Sequence, residues 1–283
     1  MPKYAMVIDA GRCIGCYLCF LACRDEHAGN DNRPIALAQP SSGHKWIDVR
    51  ELERGALPRV KVDYVPVPCM QCADAPCIDA ATGGAVYRRP DGVVLIDPDK
   101  AVGQRHIVSA CPYRVVFWNE AASVAQKCTF CAHLLDEGWR EPRCVEACPT
   151  QALVFGDIAD PSSEISRLRA ARAVEDFHPE FATGPSVGYL GLPTRFVAGE
   201  VAFADKPEVP AEGVIVTLEG GNRPRRVKSD NYGEFEFDGL DAQGRYRLRI
   251  DHPGYLACSM SLPSRADLDL GTLVLEPAPG KSV

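Results

Sequence analysis

Cysteine is the residue type that could do the most chemistry in this sequence, since thirteen cysteines occur among 283 residues. Twelve of them lie before residue 149, and only Cys258 lies after it. The chain starts without a basic region followed by an apolar stretch, so we expect no secretory signal and a cytoplasmic protein. Thiols stay reduced in that compartment unless something ligates them. The clustered cysteines therefore predict metal ligands rather than a disulfide framework.

The rest of the composition is that of an ordinary soluble globular protein. Hydrophobic residues make up 46% of the chain and charged residues 24%. The formal net charge of −7 argues against a nucleic-acid surface, which needs clustered positive charge. No apolar run approaches the roughly 18 residues that cross a bilayer. The length admits one large or two medium domains.

The first cysteine motif has the spacing C-x2-C-x2-C-x3-C. It consists of Cys13, Cys16, Cys19 and Cys23. In two-cluster ferredoxins, three cysteines of such a motif hold one [4Fe–4S] cluster, and the fourth ligates the other cluster. Zinc sites commonly use two separated C-x2-C pairs instead. The spacing therefore favours iron–sulfur clusters over zinc.

Three further segments repeat this motif, two of them incompletely. The second has Cys69, Cys72 and Cys77, with Ala81 at the position of a fourth cysteine. The third retains only its last cysteine and the following proline, and its four positions are Ala101, Gln104, Ile107 and Cys111, followed by Pro112. The fourth is complete, with Cys128, Cys131, Cys144 and Cys148, followed by Pro149.

Crossed pairing of these motifs predicts three [4Fe–4S] sites. The expected ligands form three sets: set one is Cys13, Cys16, Cys19 and Cys148; set two is Cys23, Cys128, Cys131 and Cys144; set three is Cys69, Cys72, Cys77 and Cys111. A fourth cluster would need Ala81, Ala101, Gln104 and Ile107, which we call the lost site. Because the four missing cysteines are the ligands of one cluster, we predict that one site was deleted as a unit.

The other residues near the cysteines are interpreted as structural. We expect Pro112 and Pro149 to shape turns beside the clusters. His27, His106 and His133 are interpreted as surface or hydrogen-bonding residues rather than iron ligands. Cys258 has no partner in its region and is interpreted as a small buried hydrophobe.

Short elements must position the cysteines in the first half of the chain. The patterns predict a strand over residues 59–65, a hairpin over 85–96 turning at Asp91 and Gly92, and short helices over 18–26 and 129–136. A capped helix is predicted within 162–174. Residues 178–193 hold three prolines and three glycines, which predicts an extended arm rather than a packed element.

The last part of the chain reads as strands and turns. Residues 213–218, 233–238 and 246–250 are apolar or alternate strictly, at a spacing typical of a small β-sandwich or barrel. The predicted fold class is α+β: a tandem ferredoxin-like domain over 1–158, a helix and linker over 159–195, and an all-β domain over 196–283. The β domain shows no ligand-spaced cluster, so we interpret it as a docking module, and the basic run 223–228 as a solvated face.

The cysteine pattern of residues 1–158 resembles the electron-transfer subunits of molybdopterin oxidoreductases of the dimethyl sulfoxide reductase family. The lost site, the segment CTFCAHLLD at 128–136 and the β domain are similar to small subunits of the pyrogallol–phloroglucinol transhydroxylase and resorcinol hydroxylase type. The resemblance implies three [4Fe–4S] clusters here, and a large partner subunit that carries molybdenum bis-molybdopterin guanine dinucleotide. It also implies a transthyretin-like or immunoglobulin-like sandwich at the C-terminus.

The resemblance gives the lost site a meaning. In such subunits the cluster of set one lies nearest the molybdenum, and the cluster missing here lies outermost, beside a membrane partner. We therefore expect a heterodimer, or a dimer of heterodimers, without a membrane anchor. The chain has no nucleotide-binding glycine fingerprint and no acid–base constellation, so the chemistry on a hydroxylated aromatic substrate would occur on the partner.

Alternative functions stay open from the sequence. A transhydroxylase needs no external electron acceptor, whereas a resorcinol-type hydroxylase must pass two electrons to a soluble acceptor. A stand-alone polyferredoxin would serve several partners, although the arm and the β domain argue against it. A zinc-stabilised interaction protein is a third class, which broad visible absorption would exclude.

Overall fold

The computed structural model describes residues 1–221, 223–241, 244–263 and 267–279. The chain divides into two compact units. The first comprises Met1–Glu51 and Asp63–Leu192, and the second comprises Leu52–Val62 and Pro193–Val283. Within the described residues, no helix has the length and apolar character needed to cross a membrane.

Short strands and helices alternate through the first part of the chain. The strands are β1 Tyr4–Asp9, β2 Ile47–Ala56, β3 Arg59–Pro68, β4 Val86–Arg88, β5 Val94–Ile96, β6 Val116–Asn119, β7 Val124–Lys127, β8 Leu153–Asp157 and β9 Val187–Leu190. The helices are α1 Leu18–His27, α2 Pro76–Ala80, α3 His106–Ser109, α4 Ala132–Asp136, α5 Arg143–Glu146 and α6 Glu164–Ala171, with 3-10 turns at Ala10–Arg12 and Pro179–Phe181.

A three-stranded sheet in the order β8-β1-β9 joins distant parts of the first unit. Strand β1 is antiparallel to β8 and parallel to β9, so that Ile8 lies opposite both Leu153 and Tyr189. The capped helix α6 buries Ile165 against this sheet. Its N-cap is Ser163, whose hydroxyl accepts a hydrogen bond from the Ser166 amide, as the sequence predicts.

Residues 178–193 contain a buried strand, so the expectation of an unpacked arm is wrong for β9. All four residues of β9 are buried. A Cβ atom at Gly188 would lie 2.2 Å from Cγ1 of Val174, so only glycine fits there. The Tyr189 hydroxyl donates a hydrogen bond to the Pro66 carbonyl at 2.8 Å. Pairing with the N-terminal strand β1 thus outweighs the local bias of the prolines and glycines.

Two hairpins enclose a second apolar cluster of the first unit. Strands β4 and β5 pair antiparallel, and the Asp91 side chain accepts a hydrogen bond from the Val93 amide in the turn, as predicted. Strands β6 and β7 form the other hairpin. The buried residues of this cluster, which we call the hairpin core, come from the hairpins and from the segments beside them: Ala75, Cys77, Ala85, Val86, Val94, Ile96, Ala101, Ile107, Val116 and Ala125.

The second unit is a two-sheet β structure with one apolar core. Its remaining strands are β10 Arg195–Phe203, β11 Ile215–Glu219, β12 Arg225–Lys228, β13 Glu234–Leu240, β14 Tyr246–Asp251, β15 Cys258–Leu262 and β16 Leu268–Leu275. The sheets have the orders β13-β10-β16 and β12-β11-β14-β15. Alternate residues of both sheets, such as Phe237 and Leu248, meet in that core. Cys258 packs against the core partly buried.

The turn between β2 and β3 belongs to the second unit, although it lies early in the sequence. Three of its basic side chains form ion pairs with acidic residues of the β domain: Arg54 with Asp267 at 3.3 Å, Arg59 with Glu234 at 2.6 Å and Lys61 with Glu236 at 2.6 Å. The predicted domain over 196–283 does not include this segment, because local patterns carry no information about its distant partners.

Candidate metal centres

The first cysteine loop turns at two left-handed backbone positions. Gly15 has φ +68° and Tyr17 has φ +60°. A side chain at Gly15 would collide with the Tyr64 ring, which lies 2.6 Å from an added Cβ atom. Helix α1 then begins, and it buries Cys19 and Cys23 one turn apart on one face. The loop therefore directs several thiols inward from a short stretch of chain.

The other cysteine loops also turn at left-handed backbone positions, which there are occupied by residues larger than glycine. Left-handed φ values occur within or beside them at Gln71, Arg114, Phe130, Cys131 and Gln151. Each such conformation costs about 1 kcal/mol or more. Residues in this conformation persist where the surroundings demand it, and functional sites are where they concentrate. Such residues also occur elsewhere in the first unit, at Ser123, His178 and Ala182, but most of them lie at the cysteine loops.

The thiols of set one influence one another electrostatically. Burial is the main cause that raises the pKa of Cys19, to about 12, and the charges of Cys13, Cys148 and Cys16 raise it further. Burial likewise raises the pKa of Cys13, with contributions from Cys148 and Cys16. The first and fourth motifs, which lie far apart in sequence, therefore meet here.

Cys148 differs from its neighbours because it accepts several hydrogen bonds. Burial raises the pKa of Cys148, but bonds from the Thr150 hydroxyl and from backbone amides outweigh that effect and lower it. The Ala152 amide lies 3.3 Å from Sγ of Cys148. The lowered pKa favours the thiolate form of Cys148, which is the form that binds metal.

The four thiols of set two are all buried. Burial raises the pKa of Cys144 well above its usual range, and the charges of Cys131, Cys128 and Cys23 add to this. The same holds for Cys23, whose pKa is raised by burial and then by Cys128 and Cys131. The last cysteine of the first motif therefore lies among cysteines of the fourth motif.

The four thiols of set three line one cavity. The cavity is also lined by Pro112, Tyr113 and Lys127, among other residues. Burial raises the pKa of Cys72 to about 12, while a hydrogen bond from the Thr183 hydroxyl opposes the rise. The charges of Cys69, Cys111 and Cys77 raise the pKa of Cys72 further. Cys111, the only cysteine left in the third motif, thus faces the second motif.

Set two lies beside both of the other sets. The charge of Cys19 in set one raises the pKa of Cys23 and of Cys144, after burial and nearer thiols. The charge of Cys69 in set three raises the pKa of Cys128, second only to burial. The three sets are therefore neighbours in the order one, two, three.

The residues of set three fit a polynuclear cluster. Their cavity leaves room between the four thiols that line it. Most thiols of the three sets have pKa values raised by burial, so they need positive charge nearby to ionise. Iron held by four thiolates would supply it.

The lost site is occupied by packed side chains. Ala101 and Ile107 are completely buried in the hairpin core, and Ala81 packs against it. Gln104 ties the third motif to the second: its side chain accepts from the Thr82 amide at 2.9 Å and donates to the Thr82 carbonyl at 3.2 Å. Non-ligating side chains thus replace both the volume and the cross-link of a ligand set.

The three histidines near the cysteine loops make hydrogen bonds. His106 contacts the Ala80 carbonyl at 2.9 Å, and His133 contacts Glu26 at 2.9 Å. Nε2 of His27 lies 3.6 Å from Sγ of Cys131. Burial lowers the pKa of His27 to about 3, which keeps its ring neutral. Their interpretation as hydrogen-bonding residues agrees with these contacts, although the approach of His27 to a thiol carries no sequence signal.

Sequence reasoning missed two buried polar residues between set two and set three. Gln71 donates to the Cys128 carbonyl at 3.0 Å and accepts from the Val94 amide at 2.8 Å. Lys127 is 2% exposed, and its ammonium group donates to the carbonyl oxygens of Val94 and Cys128. A lysine at the end of an otherwise buried strand, directly before a cysteine, was the available signal.

Four ferredoxin-type cysteine loops in one unit define this chain as an iron–sulfur protein. A family profile described as "4Fe-4S dicluster domain" matches residues 60–158. The chain is 39% identical to the pyrogallol hydroxytransferase small subunit of Pelobacter acidigallici, over 97% of this chain and 100% of that one. It therefore belongs to the family of iron–sulfur subunits related to those of the dimethyl sulfoxide reductase family, as the sequence resemblance predicts.

Other relatives match a smaller part of the chain. The arsenate respiratory reductase iron-sulfur subunit of Shewanella sp. (strain ANA-3) is 30% identical over 66% of this chain and 96% of its own length. Protein NrfC of Escherichia coli is 36% identical over 71% of this chain and 84% of its own length. Electron transfer within an oxidoreductase complex is thus the setting that the family indicates.

Proposed function

We propose that this chain carries three [4Fe–4S] clusters and transfers electrons within a molybdenum oxidoreductase that acts on hydroxylated aromatic compounds. The observation that carries the proposal is the grouping of the twelve cysteines. The electrostatic effects on Cys19, Cys72 and Cys144 come mainly from thiols of their own predicted sets, and packed side chains fill the lost site. Similarity over the full length to a pyrogallol hydroxytransferase small subunit supports the substrate class.

The role of this chain's own residues is to hold, shield and order the electron carriers. When bound, each cluster accepts or releases a single electron without exchange of ligands. The buried thiols of set two keep water away, and hydrogen bonds such as that from Ala152 to Cys148 stabilise negative charge on sulfur. The order of the three sets supports a linear path, since each lies beside the next.

Set one is the proposed end that faces a large molybdenum subunit. Cys16 is exposed, and it is flanked by the exposed apolar side chains of Ile14 and Leu18. The partner would carry molybdenum bis-molybdopterin guanine dinucleotide and the substrate site, and this chain would supply no catalytic residue. Because the clustered thiols suit a reducing compartment, we expect the complex in the cytoplasm. Without a cluster at the lost site, the path has no outward extension toward a membrane partner.

Anaerobic purification of the complex tests the cluster count. We expect about twelve iron atoms per chain, from three clusters of four. About eight or about sixteen iron atoms would contradict three clusters. Copurification of a large molybdenum subunit is expected, and its absence would favour a stand-alone polyferredoxin. A colourless protein that contains zinc would favour the interaction-protein alternative.

Turnover assays separate the two enzymatic versions of the proposal. A transhydroxylase moves a hydroxyl group between two phenols and needs no external acceptor. A resorcinol-type hydroxylase takes the hydroxyl from water, so two electrons must leave, and set three would be their exit. Full-length similarity to a hydroxytransferase subunit favours the first version. Turnover that depends on an added acceptor dye would establish the second.

The β domain is proposed to be a docking module of transthyretin-like or immunoglobulin-like type, without chemistry of its own. Its two sheets enclose an apolar core. Removal of residues 193–283, with 52–62 replaced by a short turn, should preserve cluster absorption and weaken binding of the large subunit. Loss of cluster absorption would contradict this role.

A further inference from the structure

Lys127 is a buried cation between set two and set three. It ends strand β7 directly before Cys128, and only 2% of its surface is exposed. Its ammonium group donates hydrogen bonds to the carbonyl oxygens of Val94 and Cys128, the latter at 3.2 Å. Both acceptors are uncharged, so neither neutralises the positive charge.

Lys127 lies beside set three. Lys127 lines the same cavity as all four cysteines of that set. Burial raises the pKa of Cys77, and Lys127 is the largest factor that opposes this rise. For Cys128 in set two, burial, Cys69 and a backbone hydrogen bond all have larger effects than Lys127. Its place in the lining of that cavity lets the lysine favour negative charge on set three.

A buried ammonium is costly unless negative charge compensates it. The net penalty for one ion in a protein interior is several kcal/mol. Carbonyl dipoles offset part of this penalty, and thiolates that hold a cluster would offset more. One-electron reduction makes such a centre more negative, so it strengthens the attraction to the lysine. The oxidised form gains less from the same charge.

We propose that Lys127 is a positioning residue that raises the reduction potential of the cluster held by set three. This rests on the proposed function, because it requires a cluster in that cavity. The last centre of the path then holds an electron more firmly than it would beside a neutral side chain. Reduction adds one electron, from the molybdenum partner in turnover or from dithionite in a titration. No bond of the chain forms or breaks.

The test compares Lys127→Met with Lys127→Arg in the purified complex, by redox titration followed with electron paramagnetic resonance. The Met variant should lower the midpoint potential of one cluster, so that its reduced-to-oxidised ratio at a fixed potential falls about tenfold, or about 59 mV for one electron. The Arg variant, which keeps the charge, should restore most of the shift. The exposed Lys100 offers a matched control, and Lys100→Met should leave all three potentials unchanged.

Each other outcome also decides the matter. If Lys127→Met retains about twelve iron atoms and unchanged potentials, the proposal is overturned. If the Met variant does not assemble, Lys127→Gln replaces it as the neutral variant. If both neutral variants lose the third cluster while Arg keeps it, Lys127 serves assembly and the proposal is again overturned. If the proposed function itself is wrong, the unsubstituted protein will contain an iron count far from about twelve atoms per chain, so this failure is distinguishable from failure of the Lys127 proposal.

Discussion

Set three and the lost site border the same hairpin core, yet they are built in opposite ways. Set three lines a cavity with four thiols. At the lost site, Ile107 supplies buried volume and Gln104 supplies hydrogen bonds to the second motif. One side is completed by a metal cluster in our proposal, and the other is complete with protein atoms alone. If a cluster was deleted there, as we predict, protein atoms now supply both buried volume and a link between the two motifs.

The largest expected effect follows from removal of a set three ligand. Cys111→Ala deletes the only thiol that the third motif contributes, so its cluster loses one of four proposed ligands. We expect iron to fall below about twelve atoms per chain and one cluster signal to disappear. Cys258→Ala, in the β domain, should leave the iron content unchanged. Full iron content in Cys111→Ala would remove Cys111 from set three.

Shortening Ile107 tests whether the lost site is held by packing. Ile107→Ala removes buried volume from the hairpin core and should lower stability by about 2–5 kcal/mol, measured by anaerobic unfolding. Iron content should stay at about twelve atoms. Val102→Ala, at a position 58% exposed, is the control and should change stability by less than about 0.5 kcal/mol. Iron loss without a stability change would mean that Ile107 supports a cluster.

Two glycines sharpen the contrast between a cysteine loop and the lost site. Gly15→Ala places Cβ 2.6 Å from the Tyr64 ring and should cost about 1–3 kcal/mol, with weakened binding of the set one cluster. Gly83 lies beside the lost site with a similar φ of +63° and nothing within 4 Å, so Gly83→Ala shows the backbone cost alone. Equal effects of the two changes would refute the tight fit at Gly15. Tyr64→Ala should partly rescue Gly15→Ala.

The smallest expected effect concerns the cross-link at the lost site. Gln104→Ala removes the hydrogen bonds to Thr82, and we expect a loss of about 0.5–1.5 kcal/mol because the side chain is exposed to water. The amide of Thr82 should exchange its hydrogen faster, as NMR or mass spectrometry can measure. Unchanged exchange at Thr82 would show that other contacts hold the two motifs together.

Local sequence patterns account for the hairpin at β4–β5, the capped helix α6 and the ferredoxin-type class. Each depends on residues within a few positions of one another, such as Ser163 and the Ser166 amide. Cysteine spacing is equally local, and crossed pairing follows from it once the ferredoxin arrangement is assumed. The family relationship is confirmed by the full-length similarity. The ligand sets themselves remain a prediction that the described geometry supports.

Features that depend on distant partners could not be predicted in this way. Strand β9 forms because it pairs with β1, more than 170 residues earlier in the chain, and its own composition suggests a loop. Lys127 is buried because it meets Val94 and the Cys128 carbonyl, although its neighbours in sequence give no sign of acceptors. Burial of polar groups is decided by tertiary contacts, so periodicity alone does not reveal it.

The ion-paired turn between β2 and β3 limits how this protein can be recombined. The second unit takes residues 52–62 from one region of the gene and 193–283 from another. A C-terminal cassette moved to a different iron–sulfur chain would carry Glu234, Glu236 and Asp267 without the basic side chains that pair with them. Exchange between relatives keeps these ion pairs only when both segments travel together.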